Sequence, residues 1–121
     1  MLLDSNILIY SSKPMGEYLR PWISHPRAFI SIVSRIEALG FHQISAAENA
    51  SITSTLAELP ELPLDEEIAL RAIGLRQQKR MSLGDSIIAA TALLYGLPLC
   101  TRNEADFSHI VELEIINPYR L

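Results

Sequence analysis

Three short apolar runs and one long apolar helix each carry an acid at one end. Asp4 closes Met1-Leu2-Leu3. Glu37 follows Phe29-Ile30-Ser31-Ile32-Val33 in a helix-like stretch, and Asp85 heads the apolar segment from Ser86 to Leu94. The segment Thr101-Arg102-Asn103-Glu104-Ala105-Asp106-Phe107 follows Leu97-Pro98-Leu99-Cys100. Strand-length apolar runs alternating with helical periodicity specify a parallel sheet flanked by helices. Acids that follow the strands of such a sheet collect at its carboxyl edge, where these folds bind ligands. Carboxylates gathered there repel one another unless a cation lies between them. The pattern therefore predicts a divalent-metal site.

The expected order begins with a strand over Met1 to Leu3 and a helical turn over Ile7 to Tyr10. A short helix spans Glu17 to Ile23, between the breaks at Lys13-Pro14-Met15-Gly16 and His25-Pro26. A second strand covers Ala28 to Ile32, and helices follow over Ser34 to Phe41 and Ser45 to Leu59. After a short strand near Leu62, Asp65 caps a helix whose last turn is basic, which suits a helix C-terminus. Met81 to Gly84 reads as a loop. Asp85 to Tyr95 is a helix apolar on nearly all sides, so it should be buried, with Gly96 as its C-cap. Leu97 to Thr101 and Glu114 to Asn117 complete the strands.

At 121 residues, 49% of them apolar, the chain is expected to form a single domain with its own core. Cys100 is the one cysteine, so no internal disulfide forms, and it should be a small buried side chain. His25, His42 and His109 have no cysteine partners at zinc-ligand spacing. No apolar run is long enough to span a membrane. The N-terminal run is broken by Asp4 and lacks a basic flank, so a soluble cytoplasmic protein is expected. The net charge of −4 argues against binding nucleic acid through a global positive field. A local basic stripe remains: Arg71, Arg76, Lys79 and Arg80 lie within ten residues, and Arg102 abuts the last acidic segment.

Each acid also has a plain structural role open to it. Ser34-Arg35-Ile36-Glu37 and Ser82-Leu83-Gly84-Asp85 fit the capping-box pattern, and Asn103-Glu104-Ala105-Asp106 nearly does. Asp65 serves as the internal control, an acid that only caps. Asp4 lies between two apolar segments and Asp85 heads a helix without a polar face, where a carboxylate is costly unless paired or metal-bound. Ser5, Asn6, Thr101 and Asn103 add neutral polar groups beside them. An all-oxygen set of this kind suits Mg2+ or Mn2+, and the natural chemistry is phosphodiester hydrolysis. No Gly-x-Ser-x-Gly elbow or phosphate-binding glycine loop competes.

The motifs resemble those of PIN-domain ribonucleases, specifically the VapC toxins of prokaryotic toxin–antitoxin pairs, across nearly the whole chain. Leu3-Asp4-Ser5-Asn6 resembles the opening Asp-Thr/Ser-Asn motif, and Ser34 to Gly40 the Ser/Thr-x-x-Glu-Leu motif. Gly84 to Ala92 resembles the Asp-x-x-Ile-Ala-Ala-Thr-Ala helix, and Thr101 to Phe107 the closing Thr-x-Asn-x-x-Asp-Phe motif. The resemblance implies a three-layer α/β/α fold with a short parallel sheet. It implies Asp4, Glu37 and Asp85 as the acids of a Mg2+ or Mn2+ site, with Asp4 and Asp85 as metal ligands. The fourth position lies between Asn103, where many members carry Asp, and Asp106, which supplies a carboxylate. The implied substrate is RNA of the tRNA or rRNA class. The implied partners are a second copy of the chain and an antitoxin whose C-terminal tail blocks the site. Lys79, Arg80 and Arg102 are the candidate RNA contacts, and Tyr18 and Trp22 the aromatic ones, with packing as their simpler role.

Three other functions are weighed against this one. An inactive binding module of the same fold would take up no metal. A haloacid-dehalogenase-type phosphotransferase needs a second Asp two residues after the first, where this chain has Asn6. A DNA-directed nuclease of related fold needs a helical arch, for which there is no insertion.

Overall fold

The computed structural model describes residues 1–120. Its sheet is built from very short parallel strands: β1 (Leu2–Leu3), β2 (Ile30–Ser31), β3 (Glu61–Leu62), β4 (Leu99–Cys100) and β5 (Ile115–Ile116). Leu2 pairs with Leu99 and Leu3 with Cys100, while Leu99 pairs with Ile115 and Cys100 with Ile116. Ile30 pairs with Glu61, and a parallel bridge between Leu2 and Phe29 ties the two ribbons together. The resulting order is β3-β2-β1-β4-β5, with β1 central.

The helices are α1 (Ser5–Ser11), α2 (Arg20–Ile23), α3 (Ile32–Leu39), α4 (Ala46–Leu56), α5 (Glu66–Gln78) and α6 (Leu83–Tyr95). Successive strand side chains point to opposite faces, and the core divides accordingly. Leu2 and Leu99 pack with Ile68, Ala72, Ile88 and Ala89 of α5 and α6. Leu3 and Cys100 pack with Ile7, Leu8, Ala38 and Ile52 of α1, α3 and α4. Helices therefore cover both faces, as the alternation predicts. Every residue from Ser86 to Ala92 is buried, which fits a helix apolar all round, and Cys100 is fully buried. Burial, helped by the charge of Asp4 and opposed by the N-terminal ammonium, pushes the Cys100 thiol up to about 12.

Several expected boundaries move. Helix α3 starts at Ile32, not Ser34, because Ser31 leaves β2 in extended geometry and its hydroxyl accepts the Val33 N–H. Ser34 is therefore inside the helix, and the Ser34–Glu37 capping box does not form. Helix α6 starts two residues earlier than expected, with Ser82 as N-cap accepting from the Asp85 N–H at 3.1 Å. Asn103 precedes a 3-10 turn over Glu104–Asp106 and makes no side-chain cap. The reciprocal capping box occurs instead between Ser45 and Glu48 at the start of α4. Asp65 is the plain N-cap expected, accepting from the Ile68 N–H at 3.0 Å.

Two glycines give opposite expectations. Gly96 ends α6 at φ 63°, a left-handed conformation that disfavours a Cβ. Gly74 lies within α5 with open space where a Cβ would stand. Gly96→Ala is expected to lower stability by about 1–2 kcal/mol, whereas Gly74→Ala raises it by up to about 1 kcal/mol. Urea denaturation of the two variants checks both signs.

Candidate active site at the carboxyl edge of the sheet

Asp4 is the first residue after β1, and its N–H still belongs to the sheet, donating to the Cys100 carbonyl at 2.9 Å. Its carboxylate is buried, 4% exposed, and both oxygens are used. Oδ1 accepts the Ser5 N–H at 2.7 Å, which makes Asp4 the N-cap of α1, and Oδ2 accepts the Thr101 hydroxyl at 2.8 Å. Thr101 holds the equivalent place after β4. Its Oγ1 also accepts the Asn103 N–H at 3.0 Å. Two adjacent strand ends, nearly a hundred residues apart in the chain, thus fix one carboxylate.

Glu37 arrives from α3, which follows β2. The Ser5 hydroxyl donates to Glu37 Oε1 at 2.6 Å and lies 3.1 Å from the Ser34 hydroxyl. Ser5 has one proton, and the short contact to a carboxylate takes it. Ser34, fully buried one turn before Glu37 on the same helix, must then be the donor to Ser5. Gly84 in the first turn of α6 completes the packing around Glu37. A Cβ there would stand 2.6 Å from Glu37 Oε2. Asp85, the next residue, is half-buried at the same helix start, and Asp106 is exposed on the 3-10 turn beyond β4.

These acids lie close enough to act on one another's protonation. Asp4 is raised from 3.8 to about 6, chiefly by burial. The charges of Asp85 and Glu37 add to the rise, while the Thr101 and Ser5 hydrogen bonds work against it. Asp85 is also raised, first by burial and then by the charges of Asp106 and Glu37, against a hydrogen bond with Ser82. Asp106 is therefore the acid beside Asp85. Asn103 is exposed and gives the site only its backbone N–H. Asn6 is half-buried on α1, and none of the hydrogen bonds of the site uses its side chain.

Among the described residues the ion pairs are Lys13–Glu48, Arg35–Glu61 and Arg120–Glu104. None involves Asp4, Glu37, Asp85 or Asp106. An uncompensated, all-oxygen set of this kind has the right chemistry for a hard divalent cation. No three His, Cys, Asp or Glu side chains among the described residues stand in an arrangement that would hold one ion as they lie. The acids are in electrostatic contact but not in coordination contact, with Glu37 turned onto Ser5.

The basic candidates divide. Arg76, Lys79 and Arg80 share a cleft of about 750 Å3 with Ser82, Asp85 and Asp106. The Arg102 guanidinium lies over the rings of Tyr119, at 4.8 Å, and Tyr10, at 5.8 Å. Tyr18 meets Tyr119 edge-on at 5.3 Å, and Trp22 packs against the core on the α1 side, so both aromatics of that segment serve in packing. Sequence reasoning missed Ser34 and Gly84 as parts of the site. The spacing of Ser34 to Glu37 puts both on one helix face, and that signal was open to a second interpretation beside the cap.

The sequence profile described as PIN domain matches residues 1–113, and the chain belongs to the PIN domain family. It is 32% identical over 123 aligned residues to Ribonuclease VapC10 of Mycobacterium tuberculosis, covering 94% of this chain and 90% of that protein. It is 27% identical to Ribonuclease VapC of Rickettsia bellii, covering 96% and 94%. The fold superposes on a chain of a toxin–antitoxin complex from Klebsiella pneumoniae with a TM-score of 0.79 at 29% identity, covering 99% and 98% of the two chains.

A titration follows from the site. Asp4 binds its proton more tightly folded than unfolded, so between about pH 4 and 6 the folded state holds more protons and stability falls as pH rises. The rise from 3.8 to about 6 corresponds to roughly 3 kcal/mol lost across that window. Asp85 contributes in the same direction. Urea denaturation in chelator should show this decline in the wild type and a shallower one in Asp4→Asn. Equal pH slopes in the two proteins would contradict it.

Proposed function

We propose that this PIN domain, taken as one domain over residues 1–121, is a Mg2+- or Mn2+-dependent endoribonuclease that hydrolyses phosphodiester bonds in RNA. It acts as the toxin of a VapBC-type toxin–antitoxin pair. The observation that carries the proposal is the set Asp4, Glu37 and Asp85, brought from three distant segments to one sheet edge with no side-chain cation paired to any of them. The names of the aligned relatives, both ribonucleases, support the reaction and its RNA substrate. The Klebsiella pneumoniae complex supports an antitoxin partner.

A divalent cation, when bound, neutralises charge on the attacked phosphate and activates a water. Asp4 and Asp85 would be its ligands. Asp4 is held for this by the Ser5 N–H and the Thr101 hydroxyl, so it cannot turn away from the edge. Ser34 and Ser5 orient Glu37, and Asp106 stands beside Asp85, so that both complete the catalytic set. Asn6 and Asn103 are supporting polar groups at the rim. A substrate of the tRNA or rRNA class, a homodimer and a cytoplasmic location belong to the same proposal. No helix among the described residues is long and apolar enough to cross a membrane.

Purified protein incubated with total cellular RNA should make discrete cuts with Mg2+ or Mn2+ and none with chelator. Asp85→Asn should fall to the chelator level while remaining folded. Asp65→Asn, which keeps a capping oxygen at a residue that acts on neither Asp4 nor Asp85, should cut like wild type. A wild type that makes no metal-dependent cut would favour an inactive PIN-like module serving a protein or RNA assembly.

A further inference from the structure

Helix α5 ends abruptly. Its C-cap, Lys79, is in extended geometry at φ −157° and ψ 150°, and only three residues separate it from the first residue of α6. That tight link carries Lys79 and Arg80 off the helix and sets them beside Ser82 and Asp85 at the start of α6. Arg76, one turn back, is tethered across the link, its Nε donating to the Met81 carbonyl at 3.3 Å. The result is a cleft of about 750 Å3 lined by Arg76, Lys79, Arg80, Ser82, Asp85 and Asp106.

Three cations and two carboxylates line one cleft, yet no ion pair joins them. The volume lies within the range of about 300–1,000 Å3 usual for ligand sites. The lining is mixed by position. The carboxylates belong to the acidic edge described above, and the cations come from the end of α5 and the α5–α6 link. Such a lining suits a ligand that carries several negative charges in succession past the acids. A polyphosphodiester has that pattern of charge.

We propose that this cleft is a track for an RNA strand passing Asp85 and Asp106, with Arg76, Lys79 and Arg80 holding its phosphates. The proposal rests on the ribonuclease function above and deepens it. Arg102 lies outside the track. Its guanidinium sits against Tyr119 and Tyr10, and it is not among the residues lining the cleft. The acidic net charge is then no obstacle, because the phosphate contacts are local and position the strand without reading its sequence.

The test uses the full chain, a fluorescein-labelled mixed-sequence single-stranded RNA followed by anisotropy in Ca2+ over a salt series, and total RNA for cleavage in Mg2+. Lys79→Gln/Arg80→Gln should bind the labelled RNA more weakly at low salt. Its plot of log affinity against log salt should flatten by about 0.7 for each phosphate contact removed. Its cuts in total RNA should be slower at the same positions. Arg71→Gln, on the same helix but outside the cleft, should retain wild-type affinity and salt slope. Unchanged affinity and slope in the double variant would overturn the track, as would an equal loss in Arg71→Gln, which would mean a diffuse field. A wild type that binds through these residues but never cuts would overturn the ribonuclease function and leave the track standing.

Discussion

The structure depends on a buried carboxylate. Asp4 sits at the end of the central strand, between the two core layers, where ionisation is opposed by desolvation and by two neighbouring acids. Leaving such a group unpaired is expensive, and the fold answers with geometry. The backbone of α1 supplies an N–H, and the end of the neighbouring strand supplies a hydroxyl. The first donor is local, but the hydroxyl is in place only if β1 and β4 are paired in register. The Leu2–Leu99 and Leu3–Cys100 pairing therefore sets the site as well as the sheet. The repulsion that remains among the acids is what the proposed cation would relieve.

The rest of the edge follows from the same sheet. Strands this short cannot stabilise a fold by pairing alone. The side chains of Leu2 and Leu3 point to opposite layers and lock β1 between α5–α6 and α1–α3–α4. Packing α3 close to α6 then puts Glu37 against Gly84, where a Cβ would displace the Glu37 carboxylate. Ser34 and Ser5 form a short hydroxyl chain that ends on Glu37. Small residues thus hold Glu37 in place, while Asp85 and Asp106 line the cleft beside the α5–α6 link.

Much of this was legible in the residues. The alternation of apolar runs and helical stretches identified the parallel sheet and its covering helices. The all-round apolar character of residues 86–94 identified the buried helix, and Gly96 its end. The acids at strand ends located the edge. The capping box at Ser34–Glu37 was misjudged for a physical reason, whereas Ser82 does cap α6 through the Asp85 N–H. Both Ser31 and Ser34 can cap a helix, and local rules cannot choose between them. The choice is made by the sheet, which ends at Ser31 and lets the helix begin at once, moving Glu37 nearly a turn deeper into α3. The contact between Glu37 and Gly84 joins residues far apart in sequence and carries no local signal. The division of the basic residues, with Arg102 on tyrosine rings and Lys79 and Arg80 in the cleft, also depends on tertiary placement.

The central claim is that mutual repulsion among Asp4, Glu37 and Asp85 makes a cation site. The most direct measurement is the thermal midpoint of the metal-free protein as Mn2+ is titrated at neutral pH, beside Asp85→Asn. Binding to the folded state alone stabilises by about 2.7 kcal/mol at a hundredfold excess over Kd. The midpoint should therefore climb with Mn2+ in the wild type and stay nearly flat in the variant. A wild-type midpoint indifferent to Mn2+, or one that climbs equally in Asp85→Asn, would contradict the claim.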